Sequence, residues 1–154
     1  MSAPDPAPGG RVVDGVHHFP ARVYYEDTDL SQLVFHARYL HFLERGRTEL
    51  LRAAGFSHSA LLARPDPLVL AVRRMSLEFI RAARIDDVLD VRTRLAGMRG
   101  ARFEMAQEIW RGEEKLLVAD LEIACLDPEG RPRRVPGELA GRMKAHAERT
   151  GRDV

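Results

Sequence analysis

Three acidic side chains stand close together where an alternating stretch of chain gives way to a helical one: Glu26, Asp27 and Asp29. A carboxylate in such a place can attack a carbonyl carbon as a nucleophile, or it can deprotonate water as a general base. Acids also gather near helix N-termini because the helix dipole favours negative charge there. A solvated acidic loop is the commoner situation in proteins at large, so the acids alone do not establish an activity.

The elements on either side of these acids are predicted from hydrophobic periodicity. Residues 17–26 alternate between apolar and polar and predict a strand, and the segment DTDLSQLVFH predicts a loop. From Ala37 to Ala54 apolar residues recur at three- and four-residue steps, which predicts an amphipathic helix of about five turns that Gly55 ends. His36 stands at the entry of this helix, where it is either an active-site group or a histidine held by the backbone.

The remaining chain predicts a short helix, a run of strands and a final helix. The short helix covers 57–63, the strands cover 68–80, 87–98, 102–111 and 115–127, and the last helix runs from about 136 to 148. We expect an α+β domain in which a five-stranded antiparallel sheet, its last four strands in meander-like succession, curls around the one long central helix. Such a sheet has two edges, and an uncovered edge favours pairing with a second chain, so a homodimer is expected.

The composition limits the possible functions. The chain has 154 residues with 24 basic and 23 acidic side chains, a balance that argues against nucleic-acid binding. Cys125 is the only cysteine, so no intramolecular disulfide forms and a reducing, cytoplasmic location is expected. No apolar run is long enough to span a membrane, and the N-terminus lacks the apolar segment of a signal peptide. We expect residues 1–15 to be a disordered arm, 16–148 a single domain and 149–154 a disordered tail.

The stretch from Tyr24 to Arg52 resembles the opening of hotdog-fold thioesterases of the 4-hydroxybenzoyl-CoA thioesterase family, and most of all its YbgC-like subgroup associated with the Tol-Pal envelope system. The family pattern reads roughly Y-x-D-T-D-x-x-G-x-V-Y/F-H-x-x-Y-L-x-x-x-E-x-x-R. The matching residues are Tyr25, Asp27, Thr28, Asp29, Val34, Phe35, His36, Tyr39, Leu40, Glu44 and Arg47. The stretches FIRAARIDDVLDV and DPEGRPRRVP resemble later motifs of the family, and the likeness covers about residues 17–143.

The resemblance implies a hotdog fold, an acyl-CoA thioesterase activity, and a homodimer or tetramer with active sites between subunits. It assigns the central role, as nucleophile or general base, to Asp29, with Tyr25 and His36 beside it. The residues expected to contact the substrate are Gln32, Val34 and Phe35. Backbone N–H groups at the start of the helix, around 35–37, could stabilise the oxyanion that develops on the thioester carbonyl. No cofactor and no metal is expected, because CoA is part of the substrate.

This sequence departs from the family pattern at two places. Gln32 occupies the position of the loop glycine, where glycine would permit a positive φ or a close approach of backbone to substrate. Ala82 stands where the later motif often has proline. Gln32 puts the substrate preference in question, and it keeps open the alternative of a non-catalytic protein that binds acyl-CoA or acyl-carrier protein.

Other residues offer competing sites. Glu44, on the long helix, is the back-up catalytic carboxylate, although an interface or supporting role is the simpler interpretation. The tripeptide HFP at 18–20 resembles a motif of hotdog dehydratases that act on acyl-carrier protein, but the continuation of that motif is missing. His36 and His41 lie five residues apart, off a common helix face, and so predict no metal site. Arginines that could contact CoA phosphates are Arg73, Arg74, Arg81, Arg84, Arg99 and Arg102.

Overall fold

The computed structural model describes residues 9–148, and residues 1–8 and 149–154, where disorder is expected, lie outside the described part. The strands are β1 Arg11–Val13, β2 Val16–Arg22, β3 Val69–Phe79, β4 Val88–Arg99, β5 Arg102–Arg111 and β6 Glu114–Leu126. The helices are α1 Arg38–Ala53, α2 His58–Leu62 and α3 Gly137–Ala147, and a 3₁₀ turn spans Tyr25–Asp27. Neighbouring strands are antiparallel, and the order across the six-stranded sheet is β1-β2-β4-β5-β6-β3. The predicted α+β class is confirmed.

The long helix α1 packs its apolar side against one face of the sheet. Phe42 and Leu43 are fully buried in a core cluster that also contains Val91 of β4. Gly46 lies on the same side of the helix, and a Cβ atom there would come within 2.7 Å of Val91 Cγ1. The absence of a side chain at Gly46 therefore allows α1 to lie close to the sheet. The observed helix differs from the predicted one by a single residue at each end.

The strand β1 corrects the expectation of five strands and of a disordered arm up to residue 15. It forms a hairpin with β2 in which Val13 pairs with Val16 across a two-residue turn. Asp14 and Gly15 have positive φ angles of 51° and 76°, as a type I′ hairpin turn requires at both central residues. Val12 is 5% exposed, so apolar burial adds to the strand pairing.

The order of the strands corrects the predicted meander. β4, β5 and β6 are consecutive neighbours, but β3 lies at the far edge beside β6, and β2 lies beside β4. The connection between β3 and β4, residues 80–87, therefore crosses the end of the sheet instead of forming a hairpin. This crossing segment is held by hydrogen bonds from Ile80 N–H to the Leu116 carbonyl and from Val23 N–H to the Asp87 carbonyl, both 2.8 Å. The loop that carries the candidate site is hydrogen-bonded to this crossing segment.

Candidate active site

The loop of residues 28–35 connects the 3₁₀ turn to α1 and is closed by its own backbone. Asp29 N–H donates to the Leu33 carbonyl at 3.2 Å, and Gln32 N–H donates to the Asp29 carbonyl at 2.9 Å. Val34 N–H donates to a carbonyl of the crossing segment at 2.9 Å. The loop is thus a tight turn fixed to the rest of the domain, and the residues it carries have defined positions.

Asp29 presents its carboxylate to solvent from this loop. Its Oδ1 atom accepts hydrogen bonds from the hydroxyl and from the backbone N–H of Ser31, the latter at 2.8 Å. These hydrogen bonds hold the pKa of Asp29 below its usual range, and the nearby His36 acts in the same direction. The carboxylate is therefore ionised at neutral pH. Its Oδ2 atom accepts no hydrogen bond from the described residues, which leaves that oxygen available to a substrate or a water molecule.

Asp27 is buried within the fold, whereas Asp29 is exposed. It is 5% exposed, and its Oδ2 atom accepts the Tyr24 N–H at 2.8 Å. Its Oδ1 atom accepts a hydrogen bond from Arg38 Nε at 3.0 Å, and its carbonyl accepts the Phe35 N–H at 2.9 Å. These bonds fold residues 25–27 into the 3₁₀ turn and join that turn to the start of α1, so β2 ends before the strand end predicted from alternation.

Gln32 has a left-handed backbone conformation, with a φ angle of 69°. Glycine takes this conformation without a steric cost, whereas a residue with a Cβ atom loses roughly 1–2 kcal/mol there. The departure seen in the sequence therefore falls at a position where glycine has a physical advantage. The Gln32 side chain is exposed and adds bulk to the surface of the loop.

The entry to α1 carries backbone donors that are not used elsewhere. The helix begins at Arg38, and no acceptor for the N–H groups of His36 and Ala37 is found among residues 9–148. The Phe35 N–H, predicted to be a third such donor, instead donates to the Asp27 carbonyl. Two free donors at the positive end of a helix dipole can stabilise a developing oxyanion.

The other predicted site residues lie in different environments. His36 and Phe35 are exposed, and their ring centroids are 4.5 Å apart. Tyr25 is 83% exposed on the 3₁₀ turn, whereas Val34 is 6% exposed and belongs to the core. Glu44 is exposed on α1, roughly 9 Å along the helix from its first residue, and so lies outside the loop. The roles assigned to these residues, like those of Asp29 and Gln32, stay predictions.

Sequence comparison relates the chain to proteins of known kind. Residues 32–118 match the model of a family described as the thioesterase superfamily. The chain belongs to the thioesterase superfamily. It is 41% identical over 128 residues to the acyl-CoA thioester hydrolase YbgC of Escherichia coli, a match that covers 82% of this chain and 94% of that protein. It is 40% identical over 116 residues to the acyl-CoA thioesterase YbgC of Haemophilus influenzae, with 75% and 85% covered.

Solved structures of thioesterases agree with this assignment. A probable thioesterase from Bartonella henselae matches with a TM-score of 0.77 at 48% identity, covering 79% of this chain and 99% of that one. The predicted family and the predicted hotdog fold are therefore confirmed, with six strands in place of five. The family match begins at Gln32, so it includes the helix entry but not Tyr25 or Asp29.

The groups outside the Asp29 loop that could carry other chemistry in this thioesterase are His18, Cys125 and any metal-binding cluster. His18, of the dehydratase-like tripeptide, pairs with Asp90 of β4 at 2.9 Å. Burial raises the pKa of the Cys125 thiol to about 11, so the thiol is protonated and unreactive at neutral pH. Between residues 9 and 148, no cluster of three or more His, Cys, Asp or Glu side chains is arranged to hold a metal ion.

Two further residues belong to the surroundings of Asp29. Ser31 supplies both hydrogen bonds to its carboxylate; sequence reasoning missed it, although an Asp followed two residues later by Ser is typical of a local Asx turn.

Arg84 of the crossing segment forms a backbone bridge with Leu33, and in the described chain its guanidinium takes part in no ion pair. Three of the other candidate arginines are held by carboxylates: Arg73, Arg81 and Arg102. Arg84 is therefore the candidate arginine placed nearest the loop by a backbone contact.

Proposed function

We propose that this thioesterase hydrolyses acyl-CoA to a free carboxylic acid and CoA, with Asp29 as the catalytic carboxylate. The observation that carries the proposal is an exposed, ionised carboxylate on a fixed loop that leads directly into two unused helix-entry donors. The similarity to two acyl-CoA thioesterases of the same family supports the substrate class.

In the proposed reaction the thioester carbonyl oxygen lies against the N–H groups of His36 and Ala37. Asp29 either attacks the carbonyl carbon, giving an anhydride that water then hydrolyses, or deprotonates a water molecule that attacks the same carbon. In both routes the C–S bond breaks and CoA leaves as a thiolate that takes up a proton. The two donors stabilise the charge on the carbonyl oxygen, usually the largest catalytic contribution. His36 could hydrogen-bond the carboxylate, the carbonyl or the leaving sulfur.

Release of CoA thiol from short, long and aromatic acyl-CoAs, followed with a thiol reagent, tests the proposal. An enzyme releases thiol in many-fold excess over its own concentration. Saturable binding of acyl-CoA without thiol release would instead show a non-catalytic binding protein, which is the alternative that Gln32 keeps open. The same acyl groups presented on acyl-carrier protein distinguish the two thioester carriers by their values of kcat/KM.

Gln32→Gly tests whether the loop position limits the substrate range. Glycine removes both the left-handed strain and a side chain from the loop surface. We expect the variant to fold normally and to show a higher kcat/KM toward bulkier acyl-CoAs. Gln32→Ala is the matched control, because it removes the bulk but keeps the Cβ atom. An unchanged order of preference over the whole panel would mean that Gln32 does not limit substrate choice.

We also propose that the protein forms a homodimer through β3. Within the described residues β3 pairs only with β6, so its outer edge carries unpaired backbone groups. Val72, Phe79 and the adjoining Ile80 are 45%, 50% and 45% exposed, which places apolar surface along the same edge. A second copy of β3 running antiparallel would satisfy the backbone groups and join the two sheets, as two-fold symmetry allows.

Light scattering at micromolar concentration should give at least twice the chain mass of 17.4 kDa. Val72→Lys places a charge on the proposed edge and should shift the protein toward monomer, because charged edge strands resist pairing. Leu62→Lys is the control, since Leu62 is similarly exposed but lies on α2. A monomer of wild-type chain with full activity would contradict the proposal.

The remaining parts of the proposal concern cofactors and location. We propose that the enzyme needs no cofactor or metal ion, because CoA enters as part of the substrate. Between residues 9 and 148 the structure contains no helix that is both long enough and apolar enough to span a bilayer. The cytoplasmic location expected from the single cysteine stays a prediction.

A further inference from the structure

A cleft of about 240 Å³ lies between α1 and the strands β3, β5 and β6. Its apolar lining consists of Leu51, Leu70, Val72, Phe103, Met105 and Ile123. Its polar lining consists of Glu44, Arg47, Thr48 and His58. The cleft therefore combines a wall that suits a hydrocarbon chain with a group of polar side chains supplied by α1 and α2.

Arg47 is the unusual member of this lining, because it is a half-buried cation without an ionic partner among residues 9–148. Its Nη1 atom donates to the neutral Gln107 Oε1 atom at 3.1 Å, and in the described chain its guanidinium forms no ion pair. Gln107 is itself fixed, since its Nε2 atom donates to the Leu43 carbonyl and the Thr93 hydroxyl at 2.9 and 2.8 Å. Burial lowers the pKa of Arg47, which reflects the loss of water around the charge.

A desolvated charge that is not paired is costly in a folded protein. A guanidinium has five N–H donors, Gln107 accepts from one nitrogen, and Arg47 lines the cleft, so donors remain for a ligand bound there. A carboxylate matches those donors in charge and in geometry, and Arg can bind it through two parallel hydrogen bonds. The same cleft would then hold both ends of an amphipathic acid.

The other polar groups of the cleft affect how well a carboxylate can bind to Arg47. The Thr48 hydroxyl lies 3.3 Å from His58 Nε2, so these two side chains of the lining already contact each other. Glu44 is the acid that acts on Arg47 electrostatically and raises its pKa, although it is exposed and therefore screened by water. An incoming carboxylate would be attracted by Arg47 and weakly opposed by Glu44.

We propose that this cleft binds an aliphatic carboxylate, with the chain against the apolar wall and the carboxylate on Arg47. Arg47 lies roughly 14 Å along α1 from Arg38, the first residue of the helix, so the cleft is separate from the Asp29 loop of the same chain. A free aliphatic acid is also the product class of the proposed thioesterase reaction. The identity of the ligand as a product rests on that function, but the binding site itself does not.

Isothermal titration of the full-length protein, in its native assembly, with octanoate, octan-1-ol and octylamine tests the proposal without any variant. The three ligands share a chain and differ in the charge of the head group. We expect octanoate to bind at least tenfold more tightly than octanol, and octylamine to bind most weakly. Equal affinity for the three ligands, or no saturable binding because another copy fills the cleft, would overturn the proposal.

Substitutions assign the binding to Arg47. Arg47→Met keeps an unbranched apolar stem but removes the cation, so octanoate affinity should fall tenfold or more while octanol affinity stays within twofold. Arg45→Met is the matched control on the same helix, where Arg45 is exposed, and it should change neither affinity. Glu44→Gln removes the opposing charge and should tighten octanoate binding. If Arg47→Met folds but binds octanoate as the wild type does, the proposal fails.

These titrations do not depend on turnover. Octanoate binding that requires Arg47, in a protein that releases no thiol from any acyl-CoA, would refute the proposed function and leave the carboxylate site standing. Rapid thiol release from a protein that binds octanoate and octanol equally would refute the carboxylate site and leave the proposed function standing.

Discussion

Asp29→Asn should lower kcat by about a hundredfold or more, because it removes a positioned acid–base group or nucleophile. The amide is nearly the same size as the carboxylate, so substrate binding should change little. The loss should therefore appear in kcat and kcat/KM to the same extent, as expected for an interaction made mainly in the transition state. The fall in kcat is measured as thiol release under saturating acyl-CoA, and circular dichroism confirms that the variant is folded.

Glu26→Gln is the matched control, since it neutralises an exposed carboxylate on the neighbouring turn that, within the described residues, forms one ion pair, a 3.8 Å contact with Arg38. It should retain near-wild-type turnover. His36→Ala keeps the backbone donor and should lose less activity than Asp29→Asn. Normal turnover by a well-folded Asp29→Asn variant would contradict the assignment, and Glu44 would become the carboxylate to test.

The pH dependence of kcat/KM provides a second check on Asp29. The Ser31 hydrogen bonds lower the pKa of Asp29, so its ionised form persists to lower pH than that of an ordinary aspartate. The acidic fall in kcat/KM for free enzyme should therefore lie below the usual aspartate pKa of about 3.9. Ser31→Ala removes the hydroxyl donor and should move this fall to higher pH.

The long periodic elements could be predicted from the sequence because their signals are local. The helix α1 and the strand β5 carry many residues that agree on one period, so their ends fall within a residue of the predicted positions. The strand β1 was missed because three residues carry too little alternation to recognise, although Asp14-Gly15 is a typical hairpin turn. The position of β3 beside β6 could not be predicted, because strand order depends on contacts far apart in sequence.

The candidate site, too, could be predicted where the signal is local but not where it depends on tertiary contacts. The motif located the loop and the helix entry, and glycine's usual place in it pointed to the positive φ angle observed at Gln32. It did not separate the environments of Asp27 and Asp29, which lie two residues apart. That difference arises from the 3₁₀ turn, which directs Asp27 to Arg38 of α1 and leaves Asp29 in solvent. The same turn takes the Phe35 N–H out of the set of free donors.

Asp27→Ala should lower the free energy of unfolding by about 2 kcal/mol, through the loss of a charge-assisted hydrogen bond and of the acceptor for the Tyr24 N–H. Removing one partner of a fully buried ion pair costs about 3–5 kcal/mol. The lower value is expected here because the Arg38 side chain is 26% exposed and has Glu26 at 3.8 Å as a second partner. Urea unfolding with an unchanged m-value measures the difference.

Asp27→Asn separates the two lost interactions, because the amide oxygen can still accept the Tyr24 N–H while Arg38 loses the closer of its two carboxylate partners. It should lose roughly half as much stability as Asp27→Ala, and its turnover should fall less than that of Asp29→Asn. Asp29→Asn, at an exposed position, should leave the unfolding midpoint unchanged. The two aspartates would then differ in kind, one acting on stability and the other on chemistry. An Asp27→Ala variant as stable as the wild type, but with turnover reduced as far as in Asp29→Asn, would place Asp27 in the reaction instead.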